Sequence, residues 1–223
     1  MRSLQTFVSA LGLLIFSAVT FAAPTAGKDY LEIKPAQPTD TGNKVEVVEI
    51  FSYMCSHCNE FEPMIAAWVK RLPADTQFRR MPVVFGRASW ETLARSYYAL
   101  EAIGDIEKIH PKIFSAIHDD NVILQQKDVL MDWMEKQGID RKKFGSAYDS
   151  FSMGGKIQRS NQRAQSYGIS GVPSIVIDGK YMISTTQAGN YENMLKIADE
   201  LLKQVRAGKG AALNTAPLKA ARK

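Results

Sequence analysis

Cysteine is scarce in this 223-residue chain: there are two, Cys55 and Cys58, with two residues between them. Small exported domains held by disulfides carry many more. A bridge across so short a loop removes little chain entropy, so stapling does not explain the pair. Histidine is scarce too. His57, His110 and His118 are the only three, at no recognised zinc spacing, and a structural zinc needs four ligands. Haem attachment needs histidine directly after the second cysteine, and Asn59 stands there. Beyond residue 22 no run is long and apolar enough to span a bilayer. Internal repeats are absent. So is the interleaving of basic and aromatic residues that marks nucleic-acid binding.

What is present begins with an N-terminus that reads as a cleavable signal peptide over residues 1–22. Arg2 is a short basic region, Phe7 to Phe21 is apolar, and Thr20-Phe21-Ala22 ends it in small residues. That apolar run falls short of the roughly 20 residues a spanning helix needs. Export leads to a compartment where disulfides persist. The net charge of +5 is concentrated at the far end: after Leu202 come Lys203, Arg206, Lys209, Lys219, Arg222 and Lys223 with no acid. Without these six and Arg2, the 28 basic residues fall to 21 against 23 acidic ones, a nearly neutral body. Residues 207–223, rich in Ala, Gly and Lys, read as a disordered basic tail.

Between these ends the periodicity changes twice. Tyr30–Ile33 and Val45–Phe51 read as strands, the second becoming continuously apolar as a central strand does. A helix is expected over Ser56–Arg71, with Pro63 inside it and a kink there. Phe78–Phe85 is a further strand. From Ser89, a candidate N-cap, to Tyr167 the signal is helical. It has breaks at Pro111 and at Gly138, a residue suited to end a helix, and Phe144 to Gln165 completes the helical block. Strands return at Ser174–Ile177 and Tyr181–Ile183 around Asp178-Gly179, a hairpin signal. A helix over Tyr191–Arg206 closes the pattern.

The chemistry is concentrated at Cys55-Ser56-His57-Cys58. A Cys-x-x-Cys between a strand and a helix puts its first sulfur at a helix N-terminus. There the helix dipole and unpaired N–H groups stabilise a thiolate. His57, between the cysteines, adds to this tuning, and Ser56 keeps a side chain suited to capping. His110 and His118 read as surface or internally satisfied residues. Phe51, Met54 and Trp68 read as core or rim. Glu49 is an acid in a largely apolar strand, a costly placement that often serves function.

Glu49-Ile-Phe-Ser-Tyr-Met-Cys-Ser-His-Cys-Asn-Glu-Phe-Glu62 resembles the active-site segment of the DsbA family of thiol:disulfide oxidoreductases. Gly171-Val172-Pro173-Ser174 resembles that family's cis-proline loop, and Asp178-Gly179-Lys180-Tyr181 its following hairpin. The resemblance runs from about Lys28 to Arg206. It implies an α/β thioredoxin fold, a central mixed sheet with flanking helices, over residues 28–86 and 168–206. A helical insertion domain over 87–167 interrupts it. Cys55 would be the attacked sulfur and Cys58 its partner. Val172 and Pro173 would form the substrate loop. Glu49 would be a buried acid relaying the proton of Cys58. No cofactor is implied beyond the redox-active Cys55–Cys58 disulfide. One departure is Ser56-His57, where the commonest dipeptide of the family is Pro-His. Proline would fix φ in the first turn, so the change bears on the reduction potential and not on the reaction type.

The implied function is donation of the disulfide to newly exported cysteine-containing proteins in the periplasm, with a DsbB-type membrane protein as reoxidant. An isomerase or reductase of the same compartment is the alternative. Such isomerases carry an N-terminal dimerisation domain, and about 30 residues of the expected mature chain precede Cys55, so a monomer is expected. A metal-delivery module using the two thiols is a third reading, short of further ligands.

Overall fold

A computed structural model of the chain describes residues 23–215, with side chains through residue 209. The expected signal peptide lies outside the described residues, as does the end of the expected tail, 216–223. The order is β1 (Leu31–Glu32), β2 (Val45–Phe51), α1 (Ser56–Val69) and β3 (Thr76–Pro82). Five helices follow: α2 (Ala88–Ile103), α3 (Ile106–His118), α4 (Lys127–Lys136), α5 (Arg141–Tyr148) and α6 (Ser152–Ser166). The chain then returns to β4 (Ser174–Ile177), β5 (Tyr181–Ser184), a short α7 (Thr185–Ala188) and α8 (Tyr191–Thr215).

The strands form one mixed sheet in the order β1-β5-β4-β2-β3. Only β2 and β3 run parallel; β2–β4, β4–β5 and β1–β5 are antiparallel. All seven residues of β2 are buried, because helices cover both faces. Successive side chains alternate between faces. Val45 and Val47 pack with Phe61, Ile65 and Trp68 of α1 and with Met194, Ala198 and Leu201 of α8. Val48 and Ile50 pack on the other face with Ala164, Tyr167 and Ile169. Burying side chains of this size contributes about 1.5–3 kcal/mol each. Trp68 Nε1 also donates to Asp199 Oδ1 at 2.7 Å, tying α1 to α8.

Asp178-Gly179 makes the expected tight turn. Both residues have positive φ, 51° and 64°, and Lys180 N–H donates to Ile177 O at 2.9 Å. Gly179 is required for a second reason: a Cβ there would lie 2.1 Å from the Gln37 carbonyl oxygen.

Three expectations are corrected. The cap of α2 is Arg87, in extended conformation and without a side-chain cap bond, so Ser89 lies inside the helix. The expected break at Pro111 does not occur, since α3 runs from Ile106 to His118 with Pro111 inside it; the closing stretch of the helical block, Phe144 to Gln165, is two helices, α5 and α6. Ser150 Oγ accepts from Ser152 N–H at 3.4 Å, a local bond that competes with helix continuation. The expected tail enters α8, which runs nine residues past Arg206 to Thr215. Alanine and lysine are good helix formers. Lys209 Nζ anchors the extension on Lys44 O at 3.0 Å and Asp178 Oδ1 at 2.7 Å.

Candidate active site

Strand β2 ends at Phe51, and four residues later Cys55 caps α1 with extended backbone, φ −95° and ψ 116°. Its side chain makes no cap bond, and the N–H groups of His57 and Cys58 act on its sulfur. Cys55 and Cys58 are both free thiols 3.8 Å apart. Cys55 is half-buried and Cys58 fully buried. Cys55 Sγ lies 3.5 Å from the carbonyl oxygen of Val172, to which it donates. The Val172–Pro173 peptide bond is cis, and Val172 packs against both the insertion core and the sheet core.

The two thiols differ sharply. Cys55 is held down to about 6, first by a hydrogen bond from Cys58 and then by the backbone N–H groups of Cys58 and His57; burial opposes this, and the His57 charge adds the least. Cys58 is pushed well up, by burial first and then by its bond to Cys55 and the charge of that sulfur; Glu49 raises it further. His57 itself is exposed, its Nδ1 3.5 Å from Glu60 Oε2. Ser56 is exposed beside it.

Glu49 is buried on β2. Burial pushes its carboxyl up to about 8 against the pull of Arg80, with Glu62 pushing the same way as burial. Arg80 Nε approaches Glu49 Oε2 to 3.2 Å but off the N–H direction. Both atoms therefore lack a hydrogen bond among the described residues. Arg80 reaches Glu62 Oε1 at 3.0 Å, and Glu62 Oε2 meets His110 Nε2 at 3.2 Å. A groove of about 580 Å³ between α1 and α3, lined by Pro63 and Pro111, reaches Glu62, Arg80 and His110 from outside.

A cysteine pair with one depressed, accessible thiol and one elevated, buried thiol, set against a proline loop, is equipped for thiol–disulfide exchange. Comparison with known proteins agrees. The family model described as "DSBA-like thioredoxin domain" matches residues 46–196. The chain belongs to the DsbA-like thioredoxin family. The thiol:disulfide interchange protein DsbA of Bordetella parapertussis is 38% identical over 206 residues, covering 90% of this chain and 98% of that one. DsbA of Pseudomonas aeruginosa is 37% identical over 208 residues, 93% and 98%. A crystal structure of the P. aeruginosa protein superposes with TM-score 0.79 at 38% identity, covering 83% of this chain and 96% of its own. DsbA from Xylella fastidiosa gives TM-score 0.77 at 32% identity, covering 83% and 100%.

As a DsbA-family protein the chain is a thiol:disulfide oxidoreductase with the thioredoxin fold, interrupted between β3 and β4 by a helical insertion. Among the described residues no group of three or more His, Cys, Asp or Glu stands together as a metal site. None of the described helices is long and apolar enough to cross a membrane. The structure brings Glu49, Cys55, Cys58, Val172 and Pro173 together and leaves His57 and Ser56 at the exposed rim. Sequence reasoning missed Tyr53, Glu62 and Arg80. It read His110 as surface or satisfied, and it is satisfied but buried, with Tyr53 Oη 2.7 Å from Nδ1. Glu62, four residues after Cys58, was within reach as a second acid in an apolar helix face.

Proposed function

We propose that this protein is a periplasmic dithiol oxidase that donates its Cys55–Cys58 disulfide to newly exported cysteine-containing proteins. The asymmetry of the two thiols carries this reading. A substrate thiolate attacks Cys55 Sγ, the S–S bond breaks, and Cys58 leaves with the electron pair. Cys58 then takes a proton, for which the elevated carboxyl of Glu49 is the nearby source. A second substrate thiolate attacks the substrate sulfur of the mixed disulfide and expels Cys55 as a thiolate. The substrate loses two electrons and the enzyme disulfide gains them.

The direction follows from the leaving group. A thiol held near pH 6 leaves faster than an ordinary one, and its stabilised thiolate favours the reduced enzyme. The disulfide is therefore oxidising. Val172 O, beside Cys55, offers an acceptor to the backbone of an extended substrate. The helix N-terminus contributes more to Cys55 than His57 does, so His57 is a secondary tuner. Ser56, exposed in the first turn, replaces a fixed φ with an ordinary one. Catalytic turnover needs a reoxidant, and a quinone-coupled membrane protein of the DsbB type supplies that role.

The test is the equilibrium of Cys55–Cys58 with glutathione. An oxidase equilibrates well above the glutathione couple, toward reduced enzyme. Equilibration at or below that couple would identify a reductase instead.

A further inference from the structure

Between Phe51 and Ser56 the chain has no ladder or helix to hold it, yet Cys55 must sit with sub-ångström consistency against the N–H groups of α1. Local bonds supply part of the constraint: Cys55 N–H to Ser52 O at 3.1 Å and Met54 N–H to Ser52 Oγ at 3.2 Å. The rest comes from the insertion domain. His110, Phe114 and His118 recur every four residues, so they line one face of α3. All three touch Tyr53, two residues before Cys55. His118 Nε2 donates to the Tyr53 carbonyl oxygen at 2.8 Å. His110 Nδ1 meets Tyr53 Oη at 2.7 Å. Phe114 packs edge-on against the Tyr53 ring, centroids 5.0 Å apart, and lies between the two imidazoles.

Every proton of this contact has a partner. A carbonyl only accepts, so His118 carries its proton on Nε2. The Glu62 carboxylate accepts from His110 Nε2, which leaves Nδ1 to accept from the Tyr53 hydroxyl. Burial disfavours the charged form of His110. Tyr53 is thus gripped at its backbone and at the tip of its side chain by a single helix. The same packing encloses the active pair: Phe51, Tyr53 and Cys58 belong to the hydrophobic core of the insertion and not to that of the sheet.

We propose that His110 and His118 are positioning residues for the redox centre, acting through Tyr53 to hold Cys55 where the N-terminal N–H groups of α1 stabilise its thiolate. The inference rests on the reading of Cys55 as the attacked sulfur. Loosening Tyr53 lets the turn drift, lengthens the sulfur–amide contacts and destabilises the thiolate. The effect therefore appears in the redox equilibrium, which compares reduced with oxidised protein, and not only in overall stability.

The experiment uses the full mature protein and three variants. His118→Leu removes the donor to Tyr53 O; His118→Gln keeps an N–H at similar reach; Tyr53→Phe removes the hydroxyl. Each is titrated by ultraviolet thiolate absorbance and equilibrated with glutathione. In His118→Leu and Tyr53→Phe the equilibrium should shift about threefold toward the disulfide, part of the value of one hydrogen bond, with the Cys55 titration moved upward. His118→Gln should restore wild-type values. Should His118→Leu fail to fold, Tyr53→Phe, which is nearly isosteric, decides alone. Unchanged titration and equilibrium in the variants, with equal loss of stability in both redox forms, would overturn the proposal. The proposal is judged on the ratio of variant to wild type. The reading of Cys55 is judged on the wild-type titration alone, so the two fail separately.

Discussion

Arg163 of α6 donates through Nη2 to Glu46 Oε1 at 2.7 Å, joining the insertion to the central strand across 117 residues of sequence. Glu46 is fully buried. Its other oxygen takes a bond from Asp40 N–H at 3.1 Å and from Arg79 at 3.3 Å. Removing one partner of a buried pair leaves a charge without compensation. Arg163→Met should therefore lower stability by about 2–4 kcal/mol, less than a complete loss because Arg79 remains. Urea unfolding checks this; a change within 0.5 kcal/mol, the usual size for surface substitutions, would place the junction's strength elsewhere.

Alkylation of the reduced protein should label Cys55 with half-maximal rate near pH 6 and leave Cys58 unlabelled across the same range, because one thiol is lowered to about 6 and the other raised by burial. Cys58→Ala should move the Cys55 inflection upward by more than His57→Ala does, since the Cys58 hydrogen bond is the larger cause. Mass spectrometry of the labelled peptides reads both. Equal labelling of the two cysteines, or a larger shift in His57→Ala, contradicts the geometry.

Stability should depend on pH differently in the two redox states. The folded value for Cys55, about 6, lies below its ordinary value of 9.0. Such a group adds stability that is complete above the ordinary value and is lost as pH falls through the folded one. Only the reduced form has this group. Reduced protein should thus gain on oxidised protein as pH rises from 5 to 9, and should be the more stable form at pH 7 despite lacking a crosslink. Glu49 acts on both forms, so the difference isolates the thiols. Paired denaturant melts across that range decide the matter; a gap that stays constant with pH contradicts it.

Glu49→Gln should remove the limb near pH 8 from the pH profile of mixed-disulfide formation by the oxidised enzyme. That limb belongs to a carboxyl raised to about 8; Cys55, bonded to Cys58 in the oxidised enzyme, has no thiol proton to titrate in this step. Loss of a general acid costs typically a hundredfold or more in the step it serves. Stopped-flow kinetics of mixed-disulfide formation measures it. An unchanged limb near pH 8 would leave Glu49 as a structural acid.

Much of this was written locally. The apolar run of β2, the Asp178-Gly179 turn and the return of β-rich residues after 167 are short-range signals, and each sits where periodicity puts it. Cys-x-x-Cys gave away its chemistry because spacing and helix start are both local. What stayed hidden depends on tertiary approach. Arg80 reads as an ordinary strand arginine until β3 pairs with β2, Glu49 opposite Arg80. His110 reads as one polar residue on a helix until α3 turns that face toward Tyr53. The extension of α8 past Arg206 was masked by composition, since glycine and lysine suggest a solvated tail and the anchoring partners, Lys44 and Asp178, lie far back in the chain.

The register of the sheet has a consequence for how such a molecule came to be assembled. Ile50 is paired with Met81 on one side and Ser174 on the other. The chain leaves for the five helices just after Met81 and comes back just before Ser174. The gap between departure and return is therefore about 10 Å, two strand spacings. A short connector could close it, so the sheet treats the intervening helices as a long loop with cheaply tethered ends. The cysteine pair does not share that indifference. Excising the helices would strip the apolar wall from Cys58 and would also uncover Val48 and Ile50, which pack against Ala164 of α6. The outcome would be a site that has lost the difference between its two sulfurs.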